Sequence, residues 1–167
     1  EAVDAFYSRA YNMISSQKAR EAFDITKETD ATRDQYGRNT AGARLLMARR
    51  LVESGVRFVT LTYGGWDMHG NVKGGMDRRG PEVDRAVSAF ISDIHQRGLS
   101  EKILLVISGE FGRTPFSQGS DGRDHNPYAF SVFLAGGGVR GGTIHGRTDE
   151  FGYHVVEDRC DIYDLWA

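Results

Sequence analysis

The chain has 167 residues, 40% hydrophobic and 26% charged, which is ordinary globular composition, enough for one domain with a core, so disorder is not the default reading. With 21 Lys and Arg against 23 Asp and Glu, the formal charge of −2 gives no overall field to draw the chain to nucleic acid or an anionic membrane, so any anion must be held locally. No apolar run reaches the ~20 residues of a membrane span, and the lone Cys160 excludes an internal disulfide and reads as a buried, unreactive thiol.

From Ala2 to Phe23 the apolar residues Val3, Phe6, Tyr7, Ala10, Met13 and Ile14 recur at three and four, which predicts one helix with an apolar face. Glu1 to Arg9 has neither the basic start nor the apolar stretch of a signal peptide. Asp24 to Asn39 is polar and reads as a connection or short helical turns. A second helix is expected from Ala41 to Ser54, ending at Gly55, then a strand from Val56 to Tyr63 that runs into Gly64-Gly65. Pro81 to Arg97 reads as a helix opened by Pro-Glu and stopped by Gly98.

Lys102 to Ser108 is a near-continuous apolar strand of the kind buried on both faces. A third strand is expected over Ala129 to Leu134, followed by turns or a hairpin between Gly141 and His154. Helix, strand, helix, strand is the alternation of an α/β domain with a mostly parallel sheet. Residues 161–167 read as a helix just beginning, so the chain is expected to be a single-domain fragment truncated at both ends: 1–39 helical and connecting, 40–167 the C-terminal part of the α/β domain.

In a parallel sheet, ligands bind outside the carboxyl ends of strands, and polar clusters stand at those places. Asp67 and His69, in Gly64-Gly-Trp-Asp-Met-His-Gly-Asn71, are a carboxylate and an imidazole two residues apart, a usual ligand pair for zinc or manganese. Taken alone the pair also fits a turn-capping aspartate beside a surface histidine. Glu110 follows the apolar strand as a metal ligand or general base. Arg113, three residues on, offers a planar fork that fits phosphate or sulfate oxygens, although the two also fit a structural ion pair. Of the adjacent Asp124 and His125, one alone aims into a given pocket. His125 is taken as the ligand, with Asp124 and Asn71 in support.

His95 reads as a structural residue near a helix end, while His145 and His154 are weaker metal candidates. The glycines from Gly136 to Gly142 lack the Lys-Ser/Thr ending of a phosphate-binding loop.

Gly-Gly-Trp-Asp67-Met-His69-Gly-Asn, Gly-Glu110-Phe-Gly-Arg-Thr-Pro, Gly-Arg-Asp124-His125-Asn-Pro and Phe-Leu-Ala-Gly-Gly-Gly-Val-Arg-Gly-Gly, with Thr148-Asp-Glu-Phe-Gly152, occur in this order. Together they resemble the bacterial family known as domain of unknown function 1501, often labelled sulfatase-like, from about Thr40 onward. The family is similar to the alkaline phosphatase and sulfatase superfamily. That resemblance implies a three-layer α/β/α fold around a divalent metal (zinc, manganese, magnesium or calcium) and hydrolysis of phosphate or sulfate esters. It implies metal ligation by Asp67, His69, Glu110 and His125, and a small-molecule or glycan ester as substrate. It also implies a periplasmic or secreted parent whose N-terminal part carries the nucleophile. Glu110-Phe111 departs from the superfamily's Asp-His, which removes one imidazole. The alternative is therefore a non-catalytic metal-, polyanion- or glycan-binding protein on the same scaffold.

Overall fold

A computed structural model describes residues 2–166, with side chains for all of these except residues 2, 9, 13, 14 and 166. The predicted contributions of Met13 and Ile14 to a helix face therefore lie outside the described residues. The chain divides into two compact units, Glu1–Tyr63 with Arg79–Gly98 and Gly64–Arg78 with Leu99–Ala167.

The first unit is helical. The long helix expected over the first 23 residues is two, α1 (Ala2–Ser15) and α2 (Gln17–Phe23). Ser16 separates them: its backbone is extended and its hydroxyl accepts the Ala19 N–H, the action of an N-cap. The face expected to pack leaves Val3, Phe6 and Tyr7 exposed. A short 3₁₀ turn (Ile25–Lys27) and α3 (Asp30–Tyr36) follow, capped by Asp24 and Thr29. Asn39 caps α4 (Thr40–Glu53) by accepting the Gly42 N–H. Tyr36, Leu46, Leu51, Ala86, Phe90 and Ile94 are the core of this unit.

Within it lies Arg49, 1% exposed, among three carboxylates. Its Nη2 is 2.9 Å from Glu28 Oε2 and its Nε 3.0 Å from Asp93 Oδ2, while Nη1 pairs with Glu53. Two of these nitrogens make ion-pair contacts without hydrogen-bond alignment. The Tyr36 hydroxyl donates to Asp93 at 2.8 Å, and Arg97 reaches the other oxygen of Asp93 at 2.6 Å. Burial pushes the Glu28 carboxyl up, but the guanidinium groups of Arg49 and Arg50 outweigh it and leave Glu28 below its ordinary value.

The strand expected from Val56 to Tyr63 does not form: among the described residues no segment pairs with it. Its β-branched residues favour extended backbone, but only a ladder partner converts that preference into a strand. Helix α5 (Val72–Gln96) begins nine residues before Pro81, which lies inside it, and residues 72–78 belong to the second unit. Asn71 starts the helix, its side chain accepting the Gly74 N–H at 3.2 Å. Among the described residues no helix is long and apolar enough to cross a membrane.

The second unit overturns the expected three-layer α/β/α arrangement with its mostly parallel, alkaline phosphatase-like sheet. Its strands form three separate two-stranded antiparallel pairs. The strands β1 (Leu104–Ile107) and β4 (Phe133–Gly136) pair with Leu104 opposite Gly136 and Ile107 opposite Phe133. Two short strands, β2 (Gly112–Arg113) and β3 (His125–Asn126), pair between them in the chain. The expected C-terminal hairpin is β5 (Arg147–Thr148) with β6 (Val155–Glu157), and α6 (Ile162–Trp166) follows.

The physical reason is the connection. Parallel neighbours need a crossover, usually a helix. Between β1 and β4 the chain carries Gly109, Gly112, Pro115, Gly119, Gly122 and Pro127, which cannot sustain one, so the strand returns antiparallel. Nor is β1 buried on both faces, since Leu104, Val106 and Ile107 are exposed. Cys160, expected inside, is exposed too.

Candidate metal centre

The candidate residues converge through loops and a hairpin, not at the ends of parallel strands. In the first loop the Met68 N–H donates to the Trp66 carbonyl at 2.9 Å, a three-residue turn that puts Asp67 at its tip. In the hairpin, β2 and β3 place Arg113 directly opposite His125. Beyond them Thr114 N–H donates to Asp124 C=O, and the turn closes with Gln118 and Gly122 exchanging backbone hydrogen bonds. The hairpin is docked on the loop by the Arg123 N–H, which donates to Met68 C=O at 3.1 Å.

Gly122 makes that docking possible. A Cβ at this position would stand 2.0 Å from the His69 carbonyl oxygen, closer than atoms can approach. Gly112 meets the same restriction against the Ala129 carbonyl oxygen, also at 2.0 Å.

Asp67 Oδ1 is the centre of the cluster. His69 Nε2 and His125 Nε2 each lie 2.9 Å from it, and Arg113 Nη2 lies 2.8 Å away. The two histidine Nε2 atoms are 3.2 Å apart. Hydrogen bonds from His125 and Arg113, with the neighbouring charges of His69 and Arg113, hold the Asp67 carboxyl down at about 2. Around neutral pH it is an anion.

The outer contacts fix the ring orientations. His69 Nδ1 is 2.5 Å from Gln118 Oε1, which leaves Nε2 as the ring atom turned toward Asp67 and His125. Phe111 packs on His125 with ring centroids 4.1 Å apart, and the Arg113 guanidinium lies 5.6 Å from the Phe111 ring centre. Phe111, a departure when judged by sequence, is thus a wall of the site. Asp124 accepts the His125 N–H at 2.8 Å and stands 3.9 Å from His69 Nδ1.

Of the sequence candidates, then, Asp67, His69, His125 and Arg113 come together and Asp124 borders them. Glu110, exposed in the turn after β1, is outside the group that could share one ion. Asn71 caps α5 and its N–H donates to Asp121 at 2.9 Å. Gln118 was not singled out from sequence. A glutamine in a Gly-Ser-Asp-Gly turn carries no signal until the turn folds over His69.

The family described as "Protein of unknown function (DUF1501)" matches residues 1–167. This chain is a member of that family. No curated protein and no solved structure matches it. What the DUF1501 chain can do is accordingly a question for its own donor atoms.

Those atoms fit a metal ion. Four ligands about 2.0–2.1 Å from a tetrahedral ion lie roughly 3.3 Å from one another. The separations of Asp67 Oδ1, His69 Nε2 and His125 Nε2 in this DUF1501 chain, 2.9 to 3.2 Å, are a slightly contracted form of one such face. All three residues are exposed, which leaves room for a fourth ligand. Two imidazole nitrogens and one carboxylate suit zinc or manganese better than the all-oxygen preference of calcium and magnesium.

Proposed function

We propose that Asp67, His69 and His125 hold one divalent metal ion and that the protein hydrolyses phosphate or sulfate esters, with Arg113 gripping the anionic group. The observation that carries the reading is the facing of two histidine Nε2 atoms at 3.2 Å beside one ionised carboxylate. With Nδ1 turned to Gln118, His69 Nε2 faces the other ring, and one ion between the two nitrogens and the carboxylate would satisfy all three.

A divalent ion held there would polarise an ester oxygen as a Lewis acid. The chain's own residues position the ion and the anionic group. Asp67 fixes the two imidazoles, Gln118 orients the His69 ring, and Phe111 packs against the His125 ring. Arg113 is parked on Asp67, and a phosphate or sulfate group offers its fork an equivalent pair of oxygens. The motif similarity to sulfatase-like proteins supports this class of reaction. The reading rests on the site and not on a shared sheet.

Metal-free protein titrated with zinc, manganese or cobalt(II) should take up one ion, with a cobalt absorption spectrum of low coordination number. The His125→Ala and Asp67→Asn variants should lose it. Turnover of 4-nitrophenyl phosphate or sulfate should appear with metal, and Arg113→Ala should raise KM while metal still binds. Failure of the unmodified protein to bind any of these ions would refute the proposal. Metal bound without turnover would instead favour a non-catalytic binding protein.

A further inference from the structure

Three residues after Arg113 and three after His125, beyond the ends of their strands, stand the aromatic residues Phe116 and Tyr128. Both rings converge on Tyr153, with centroids 5.6 and 5.5 Å from it. His154 completes the group, 4.8 Å from Tyr128 and 4.7 Å from Tyr153. Three residues span at most about 10 Å, so the cluster starts within that reach of the metal-centre residues.

These rings are held rigidly yet left open. Asn126, fully buried, donates to the Tyr153 carbonyl at 3.0 Å and accepts the Tyr128 N–H at 3.1 Å, so one side chain positions both phenols. Asp149 accepts N–H bonds from Phe151, Tyr153 and His154, which pins the loop from the other side. Phe116 is fixed through its carbonyl by the Thr114 hydroxyl at 2.9 Å. Nevertheless Phe116 is 59% and Tyr128 56% exposed. Loops ordered this firmly around uncovered rings are the form of a prepared binding surface.

We infer that Phe116, Tyr128, Tyr153 and His154 form a subsite that stacks on the pyranose ring of a sugar, the alcohol part of an ester whose anionic group is held at Arg113. The inference rests on the hydrolase reading for the ester, though the sugar contact itself needs no metal. A sugar presents C–H bonds on its ring face, which the negative face of an aromatic ring attracts. It also presents hydroxyls around its edge, and two phenols and an imidazole are the donors and acceptors that such an edge requires. A simple aryl group has no use for them. The ring planes tilt against one another by 34° and 52°, so these rings form no parallel-walled slot for a flat aromatic.

The test uses chelator-treated protein and backbone amide NMR, with a neutral β-linked glucose tetrasaccharide as the first probe. The amides of Tyr128, Tyr153 and His154 should shift on titration, and Tyr128→Ala and Phe116→Ala should each weaken binding about five-fold or more. A sulfated galactose tetrasaccharide should move the same amides together with that of Arg113. Shift mapping in the unmodified protein keeps the test valid if a variant fails to fold. Unmoved amides with both sugars would overturn the inference, as would an equal or larger response to phenyl sulfate. Zinc uptake measured in parallel separates the two claims: sugar shifts without metal uptake sink the metal centre and leave the platform standing.

Discussion

Replacing Gly122 with alanine should disable the metal centre without touching a ligand. The new Cβ would lie 2.0 Å from His69 O and 2.4 Å from its carbonyl carbon. Restoring an ordinary contact of 3.4 Å needs a displacement of roughly 1.4 Å between the hairpin turn and the loop. Neither side yields freely, because Gly122 is paired with Gln118 and Arg123 N–H is bonded to Met68 C=O beside it. A metal site tolerates about 0.2 Å in its ligand distances. The substitution should therefore reduce affinity for zinc by about a hundred-fold or more, while overpacking costs roughly 1–3 kcal/mol of stability. The matched control is Gly70→Ala, also next to His69, where a Cβ meets nothing within 4 Å and φ is not positive. Isothermal titration with zinc on both variants, with thermal melts to confirm folding, checks the prediction. Equal affinity in the Gly122→Ala and Gly70→Ala proteins would show that the close approach does not position His69.

Arg49→Ala should destabilise the protein by about 3–5 kcal/mol in urea unfolding, because it leaves the buried carboxylates facing one another without their shared cation. Arg49→Met should lose as much unless the carboxylates are also replaced. Because Glu28 is held below its ordinary value, its contribution to stability is present above the usual glutamate range near pH ~4.3 and is lost as pH falls through its lower folded value. Melting points followed down to about pH 3 should thus fall less steeply in Glu28→Gln than in the unmodified protein. Asn71→Ala should cost about 1 kcal/mol through loss of the α5 cap, with zinc uptake retained. Loss of zinc in that variant would assign Asn71 a role at the metal.

Local chemistry was legible where a residue's effect is short-ranged. Gly55 stops α4 as a positive-φ glycine should, and turns or a hairpin were legible near Arg147. The first helix was misjudged because periodicity continues through Ser16, whose hydroxyl competes for the backbone and breaks it. Pro81 looked like a helix start. The seven residues before it carry Gly74, Gly75 and Gly80, weak helix formers that become helical only once Asn71 caps them and the turn from Asn71 orders.

The sequence by itself determined which donor types were available and that Asp67, His69, Arg113 and His125 each stood in a polar stretch near glycines. Which of them share a centre was decided by tertiary structure alone. Glu110 was as good a ligand by composition as Asp67, but it lies in the turn after β1 while the hairpin carries Arg113 and His125 onto the Asp67 loop. Sheet direction was likewise settled beyond local propensity. A strand's side-chain pattern says that it is extended and apolar, whereas parallel or antiparallel pairing depends on whether the intervening chain can build a crossover. Here it cannot, and the same glycines that forbid the crossover permit the close backbone contacts from which the candidate site is made.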